Sequence, residues 1–440
     1  MRTTAEPTAR EERIGVLDTT RGVAVLGILL MNITAFGLPN AYDDPTNWGG
    51  HEGLNFTVWR TMALWFEGTM RGLFTLLFGA GALLFLQRHT ARSPDLRAAD
   101  LYYRRTMWLI VFGLINGYLL LWSGDVLYCY GVVGLLLFVF RNLASRRLIA
   151  IAAVIMAVQT VVTVIEWQGY RMMRDEATAA QTAQTAGDTL TPDQQGAIDT
   201  FEALAREFKP TREDLEQKVA TVRDGYLGAL RTFAPETWHM QTSFFFRHML
   251  LEGLGMMLLG MALLKLGVLT GTAPSRAYAV MLVAGYAIGF TVNWFETARL
   301  AGAGFTTDAL IASYLTYDLG RIPMTLGHIG LLGLLCRAVA FAPIARTFSA
   351  VGQMALTNYL SQSVICFFLF TGAGIGLYGA LERYELYFVV AAICALQLLW
   401  SPLWLRYFRF GPAEWLWRSL TYWHKQPMRH TVARPALAEM

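Results

Sequence analysis

The chain predicts an all-α, polytopic membrane bundle of about ten spanning helices. Long apolar runs recur along most of its 440 residues. Hydrophobic residues make up 55% and charged residues only 15%, where a soluble protein would carry about a quarter charged. Lys and Arg collect in every second loop, the pattern that marks cytoplasmic loops. A spanning helix needs roughly 20 apolar residues, and the mean hydropathy of +0.38 fits a chain built mostly from such runs. The net charge of +4 is small and loop-borne, so it reads as a topology signal and not as a nucleic-acid surface. The 13 Trp and 18 Tyr suit interfacial belts.

The first span runs from about Ile14 to Phe36, behind a tail (residues 1–13) that carries Arg2, Arg10 and Arg13. It is long enough to remain as an anchor. The loop to Leu54 holds Asp43, Asp44 and Glu52 and no Lys or Arg, which places the N-terminus in the cytoplasm. Residues 55–87 are too long for one straight span at about 1.5 Å per residue, so they divide into a surface helix ending near Glu67 and a span from Arg71 to Gln87. Arg88 to Arg105 is a basic cytoplasmic loop. Spans three and four (106–122 and 126–140) turn at Ser123-Gly124-Asp125, and span five covers 148–166.

A hydrophilic insert, 167–243, separates this half (14–166) from spans six to ten (244–405). It opens with an Ala/Thr/Gln-rich stretch near 177–190. Thr191-Pro192-Asp193-Gln194 then gives a capping box with proline at the first helical position, and a second helix starts at Thr211. Too poor in large apolar residues for a core of its own, the insert is expected to lie over the outer face, as a lid or a passive elaboration. Spans six to ten are 247–265, 276–296, 319–337, 349–371 and 385–405, which returns the C-terminus to the cytoplasm. In the tail (406–440), Pro412 opens a helix whose Trp415, Trp417, Arg418 and Trp423 suit the membrane interface. No internal repeat is evident, which weakens inverted-repeat transporter architectures.

An ionisable group in hydrocarbon is expensive and marks function by default. Asp18 and Arg21 open the first span, although Asp18 can cap the helix and Arg21 can snorkel to headgroups. Glu67 and Arg71 form an i,i+4 pair at the outer mouth of span two. Arg247, His248 and Glu252 open span six, and Asp318 and Arg321 open span eight. Thr325 and His328 continue the Arg321 face inward. Asp125 reads as the cap of span four. His328 is mid-span and titrates near neutrality, so it is the leading candidate base, against the alternative of a hydrogen-bonded packing histidine. His51 is a second, loop-borne histidine. Most of these groups fall in the outer half, so the sequence predicts one hydrated chamber there.

Cys129, Cys336, Cys366 and Cys394 lie in apolar runs without C-x-x-C spacing and read as core residues, so no metal is expected. No phosphate-binding P-loop occurs, and Gly372-Ala-Gly-Ile-Gly376 follows no strand, which excludes a dinucleotide fingerprint. The glycines 253, 255, 260 and 267 read as close helix packing.

Several blocks together are specific. They are Leu17-Asp-Thr-Thr-Arg-Gly-Val-Ala-Val-Leu-Gly-Ile28, Met31-Asn-Ile-Thr-Ala-Phe-Gly-Leu-Pro39, Leu73-Phe-Thr-Leu-Leu-Phe-Gly-Ala-Gly81, Gly124-Asp-Val-Leu127, Gly352-Gln-Met-Ala-Leu-Thr-Asn-Tyr-Leu360 and Phe410-Gly-Pro-Ala-Glu-Trp-Leu-Trp-Arg418. In these the chain resembles the YeiB family of bacterial inner-membrane proteins. It is more distantly similar to transmembrane acyltransferases: heparan-alpha-glucosaminide N-acetyltransferase and bacterial sugar O-acetyltransferases. That resemblance implies an acyl group passed from cytoplasmic acyl-CoA, the donor substrate, to an extracytoplasmic or lipid-linked acceptor. Where the O-acetyltransferases carry a catalytic histidine this chain has Asn32, and an amide cannot act as a general base. The base then falls to His328 or Glu67, with Asp18 and Arg21 organising the cytoplasmic mouth. Asn32, Arg71, Arg247, His248, Glu252, Asp318, Arg321 and Asn358 are the candidate binding residues. The alternative is a transporter, or a lipid- or quinone-binding protein, using the same cavity. Expected partners are membrane lipids and a small-molecule or lipid substrate, with self-association left open.

Overall fold

A computed structural model describes residues 15–91 and 95–430. Arg2, Arg10 and Arg13, and residues 431–440 of the predicted tail, lie outside the described residues. The first helices are α1 (Gly15–Gly37), α2 (Gly53–Trp65), α3 (Thr69–Thr90), α4 (Asp95–Tyr118), α5 (Leu127–Leu137) and α6 (Ser145–Thr185). Next come α7 (Pro192–Phe208), α8 (Arg212–Arg223) and α9 (Gly225–His239), which a π-helical segment, Met240–Met249, joins directly to α10 (Leu250–Lys265). The remainder are α11 (Ser275–Gly302), α12 (Thr307–Ser313), α13 (Tyr317–Leu335), α14 (Ala342–Gln353), α15 (Ala355–Phe370), α16 (Arg383–Tyr407) and α17 (Pro412–Tyr422). Among the described residues the only β pairing is an isolated bridge, Phe408 to Arg429.

Helix starts follow the local chemistry. Thr191 accepts from the Gln194 amide at the head of α7, and Thr211 accepts from the Asp214 amide at the head of α8, each closing a capping box. The break between α2 and α3 falls where the sequence divides the two, at Gly68 in the left-handed region (φ 66°). A side chain there would meet the Tyr317 hydroxyl at 2.5 Å and Arg321 Cδ at 2.7 Å, so glycine is required twice over.

Three boundaries differ from expectation. The predicted basic loop after Gln87 is helical from Asp95, because its residues are good helix formers and Arg104 pairs with Asp100 one turn away. The fifth span continues as helix into the Ala/Thr/Gln-rich stretch, and α6 stops only before Gly187 (φ 91°). Span six has no free start at Arg247, since the chain is helical without interruption from Gly225 to Lys265.

This is an all-helical membrane protein. Among the described residues, six helical runs are long and apolar enough to cross a bilayer: Gly15–Gly37, Gly53–Thr90, Ser145–Thr185, Gly225–Lys265, Ser275–Gly302 and Arg383–Tyr407. The other four expected spans fail that test for visible reasons. Charged residues crowd the start of α4, Leu127–Phe140 and Ala355–Phe370 are short, and α13 bends by 100° into the helical stretch containing α14. Valines 154, 158 and 161 of α6, Val283 of α11 and Leu399 of α16 expose apolar faces, which places these helices at the rim. The interior is α1, α3 and α10, packed backbone to backbone. A methyl on Gly352 would fall 1.9 Å from the Asp18 carbonyl oxygen, and one on Gly260 would fall 1.9 Å from that of Leu76. Gly267, by contrast, serves a turn at φ 79°.

Two polar nodes tie the end of the chain to this core. Asn358 donates to the Val351 carbonyl (3.1 Å) and Ser401 (3.0 Å) and accepts from Trp400 Nε1 (2.9 Å), so its amide is consumed in joining α15 to α16. Glu414 of α17 is buried and caps α15, accepting from the amides of Leu356 (2.6 Å) and Thr357 (3.1 Å) and from the Thr357 hydroxyl (2.5 Å). Glu414→Ala, which orphans these donors, is expected to cost about 2 kcal/mol or more. It should lower Tm in detergent well below that of Glu414→Gln, which keeps an acceptor; equal Tm values would refute the capping role.

Candidate functional site

Where α1 ends, α16 begins and the chain breaks between α2 and α3, the loop 38–52 closes over a cluster of charge. A cavity of about 60 Å³ lies at its centre, lined by Tyr42, Asp43, Glu67, Glu296, Tyr317, Arg321, Arg383 and Tyr387 among others. One water needs about 10–15 Å³ by this measure, so the chamber holds a few waters as it stands.

Glu67 sits at the α2–α3 break. Its Oε1 accepts from the hydroxyls of Tyr42 and Tyr317, each at 3.3 Å. The expected Glu67–Arg71 pair does not form, because the break carries Glu67 off the α3 face. Arg71 instead donates to Glu252 on α10 at 2.9 Å and to the Tyr317 hydroxyl at 3.1 Å. Tyr317 is therefore the hub that joins Glu67 to Arg71. Arg321 does not pair with Asp318. It makes a two-pronged bridge to Glu296 of α11 (2.8 and 3.1 Å) and lies 3.6 Å over the Tyr317 ring. Asp318 is half-buried, in the field of Glu252, Arg71 and Arg321.

Two guanidiniums keep donor capacity in reserve. Arg321 and Arg383 are 7% and 2% exposed, both line the cavity, and the buried Nε–H of each has no hydrogen-bond partner among the described residues. Arg383 also donates to the Ala41 carbonyl at 2.7 Å, anchoring the loop to α16. Asp43 stands in the cavity mouth, exposed by area yet ringed by protein. That enclosure first, and then the Glu67 charge, pushes its carboxyl up to about 7, with Arg321 opposing. Its neighbour Asp44 is buried and pairs with Lys209 of the insert at 2.6 Å, and Arg212 lies 3.9 Å over Trp48. The insert thus covers the loop that closes the chamber.

Of the expected site residues, Glu67, Arg71, Glu252, Asp318 and Arg321 converge here. The others do not. His328 is engaged at both nitrogens: Nε2 lies 3.0 Å from the Trp65 carbonyl and so carries the proton, while Nδ1 accepts from Tyr286 at 2.8 Å. That is a packing histidine beside the chamber. Arg247 is exposed, and His248 faces Glu166 at 3.7 Å, because the π-helical segment turns this part of the chain toward α6. Asn32 is half-buried in α1 and its side chain makes no hydrogen bond among the described residues. Asp18 and Arg21 pair with each other at 2.9 Å at the opposite end of α1. Asn358 belongs to the node described above. Glu296, Arg383, Tyr42, Asp43 and Tyr317 went unread. The first two carried a usable signal, a charge at the edge of an apolar run. Tyr42 and Asp43 reach the chamber only through the closure of the 38–52 loop, and Tyr317 only through the packing of α13.

Asp125, expected as a cap, accepts from the Tyr128 amide and from Asn116, each at 2.8 Å. Burial raises its carboxyl to about 7 against these bonds. Its folded value exceeds the unfolded one of about 3.9, so the folded state holds the proton more tightly. Stability should fall as pH rises from about 4 through 7. Asp125→Asn should remove that component from the Tm–pH profile; parallel profiles for the two proteins would contradict it.

The fold and this chamber define a class: a helical membrane protein with an arginine- and carboxylate-lined cavity at one end of the bundle. The chain is 31% identical to the uncharacterized protein YeiB of Escherichia coli, over 93% of this chain and 96% of that one. It is 30% identical to the uncharacterized protein YxaH of Bacillus subtilis, over 96% and 98% respectively. An uncharacterized 39.9 kDa protein of Bacillus acidopullulyticus, from an amylase 3′ region, is 24% identical over 96% of this chain. A family described as "Protein of unknown function (DUF418)" matches residues 263–424. The chain therefore belongs to the YeiB family. No solved structure matches it.

Proposed function

We propose that this protein is an acyltransferase-like enzyme of the bacterial inner membrane. In this reading the chain crosses about ten times with both termini in the cytoplasm, and the chamber faces away from it. The observation that carries the reading is the state of Glu67: a carboxylate in a cavity, held by two phenols, whose neighbouring arginines are already taken by Glu252 and Glu296. Such a group is available as a base.

An acceptor hydroxyl would give its proton to Glu67 as its oxygen bonds to the acyl carbonyl carbon. The carbon–sulfur bond of acyl-CoA, whose thioester arm would reach the chamber from the cytoplasmic side, then breaks, and the departing thiolate takes the proton held by Glu67 and withdraws to that side as free CoA. The guanidiniums of Arg321 and Arg383, which line the cavity, supply positive charge beside the carbonyl oxygen as charge develops on it, and a shift of either side chain on loop opening would bring its unpartnered Nε–H to bear. Opening of the 38–52 loop, held by Lys209 and Arg212, admits the acceptor.

A second reading, a transporter or a lipid- or quinone-binding protein, draws on the small cavity and on the carboxylates that outnumber arginines around it. The test separates the two. Purified protein is incubated with acyl-CoAs of increasing chain length and bacterial lipid extract, and free thiol is measured. Turnover is expected, and Glu67→Gln should reduce it about 100-fold with Tm preserved. No CoA release at any chain length, together with a lipid that copurifies, would replace the enzyme reading with the binding one.

A further inference from the structure

At the end of the bundle opposite the chamber, three arginines from three distant segments converge. Arg21 of α1 reaches α3, its Nη2 lying 3.6 Å from where a Gly81 side chain would start. The Arg105 guanidinium of α4 lies 3.7 Å over the Trp417 ring and 5.1 Å over Phe85. The Trp417 indole in turn donates to the Arg105 carbonyl at 2.8 Å, which fixes α17 against α4. Arg418 lies 4.6 Å over Phe410. All three side chains are half-buried.

Among the described residues, the carboxylates beside these arginines are already used. Asp18 is bound to Arg21, and Glu414 is spent on the α15 cap. Among the described residues neither Arg105 nor Arg418 has a carboxylate within ion-pairing distance. They stand close enough to repel each other, and each also feels Arg21. Burial holds the Arg418 guanidinium below its ordinary value, with Tyr422, Glu414 and Asp18 opposing and Arg21 adding to it.

We propose that a phosphate-bearing anion sits among Arg21, Arg105 and Arg418. An anion with several oxygens can accept from two planar guanidinium forks at once and relieve their repulsion, which a single carboxylate does less well. The aromatic rings under Arg105 and Arg418 hold the forks in place beforehand, so little ordering remains to be done on binding. The phosphate belongs either to a lipid headgroup of the adjacent leaflet or to a soluble phosphate ester. This site lies at the far end from the chamber, at the mouth where Arg21 is expected to meet a CoA donor; a soluble phosphate ligand there would deepen the acyl-transfer reading, while anion binding is measured here without turnover and can stand or fall apart from it.

The protein is placed in nanodiscs of phosphatidylcholine and titrated with sodium pyrophosphate by isothermal calorimetry. Its Tm is also compared between phosphatidylcholine and phosphatidylglycerol nanodiscs. Saturable pyrophosphate binding, weakened at least tenfold in Arg418→Gln, identifies a soluble phosphate ligand. Stabilisation by phosphatidylglycerol that Arg418→Gln abolishes, without pyrophosphate binding, identifies the lipid headgroup. Should the Gln variant fail to fold, Arg105→Lys is used, which keeps the charge and loses the fork; weaker binding there supports the site. Folded protein that responds to neither anion, or variants that respond like the parent, would overturn it.

Discussion

The cost of placing charge in hydrocarbon governs this structure. Arg321 and Glu296 are each largely withdrawn from solvent, and neither is tolerable alone in such a setting. Their two-pronged bridge locks α13 to α11, which are already in backbone contact through Gly285, Gly289, Gly327 and Gly330. With that pair fixed, Tyr317 is held under the Arg321 guanidinium and its hydroxyl is aimed at both Glu67 and Arg71. The chamber therefore arises from one satisfied ion pair that positions a hub, and Glu67 is left with phenolic partners only.

Around that centre the molecule is organised in depth. One end carries carboxylates, tyrosines and two reserve guanidinium donors, beneath a loop that Lys209 and Arg212 of the insert tie down. The other end carries Arg105 and Arg418 on aromatic rings, while Asp18 is bound to Arg21 and Glu414 caps α15. Between them the backbones of α1, α3, α10 and α14 are in contact at glycines, where small residues replace the hydrophobic drive that lipid does not supply. The two ends offer different chemistries to ligands that approach from different sides.

Much of this was legible in the sequence. The helical class followed from the apolar runs, a capping box located the start of α7, and the start of α8 at Thr211 was also legible. The α2–α3 division followed from length alone. Depth arguments gathered Glu67, Arg71, Glu252, Asp318 and Arg321 to one place, but they could not choose partners. Pairing by sequence proximity matched Glu67 with Arg71, whereas the folded chain pairs Arg71 with Glu252 and Arg321 with Glu296. Helix breaks and long-range packing decide such pairings, and no single-helix pattern encodes them. The weight given to His328 had the same origin: its two partners, Tyr286 and the Trp65 carbonyl, lie on other helices. The π-helical segment, which diverts Arg247 and His248, left no mark in the periodicity.

A double-mutant cycle on Arg321 and Glu296 tests the account most directly. Each single replacement, Arg321→Met and Glu296→Gln, leaves a buried charge unpaired and should cost about 3–5 kcal/mol. The double variant should recover a large part of that loss, since no charge is then left uncompensated. Single and double losses that simply add would mean the two groups are independently solvated. The ion pair would then not be what holds the chamber together.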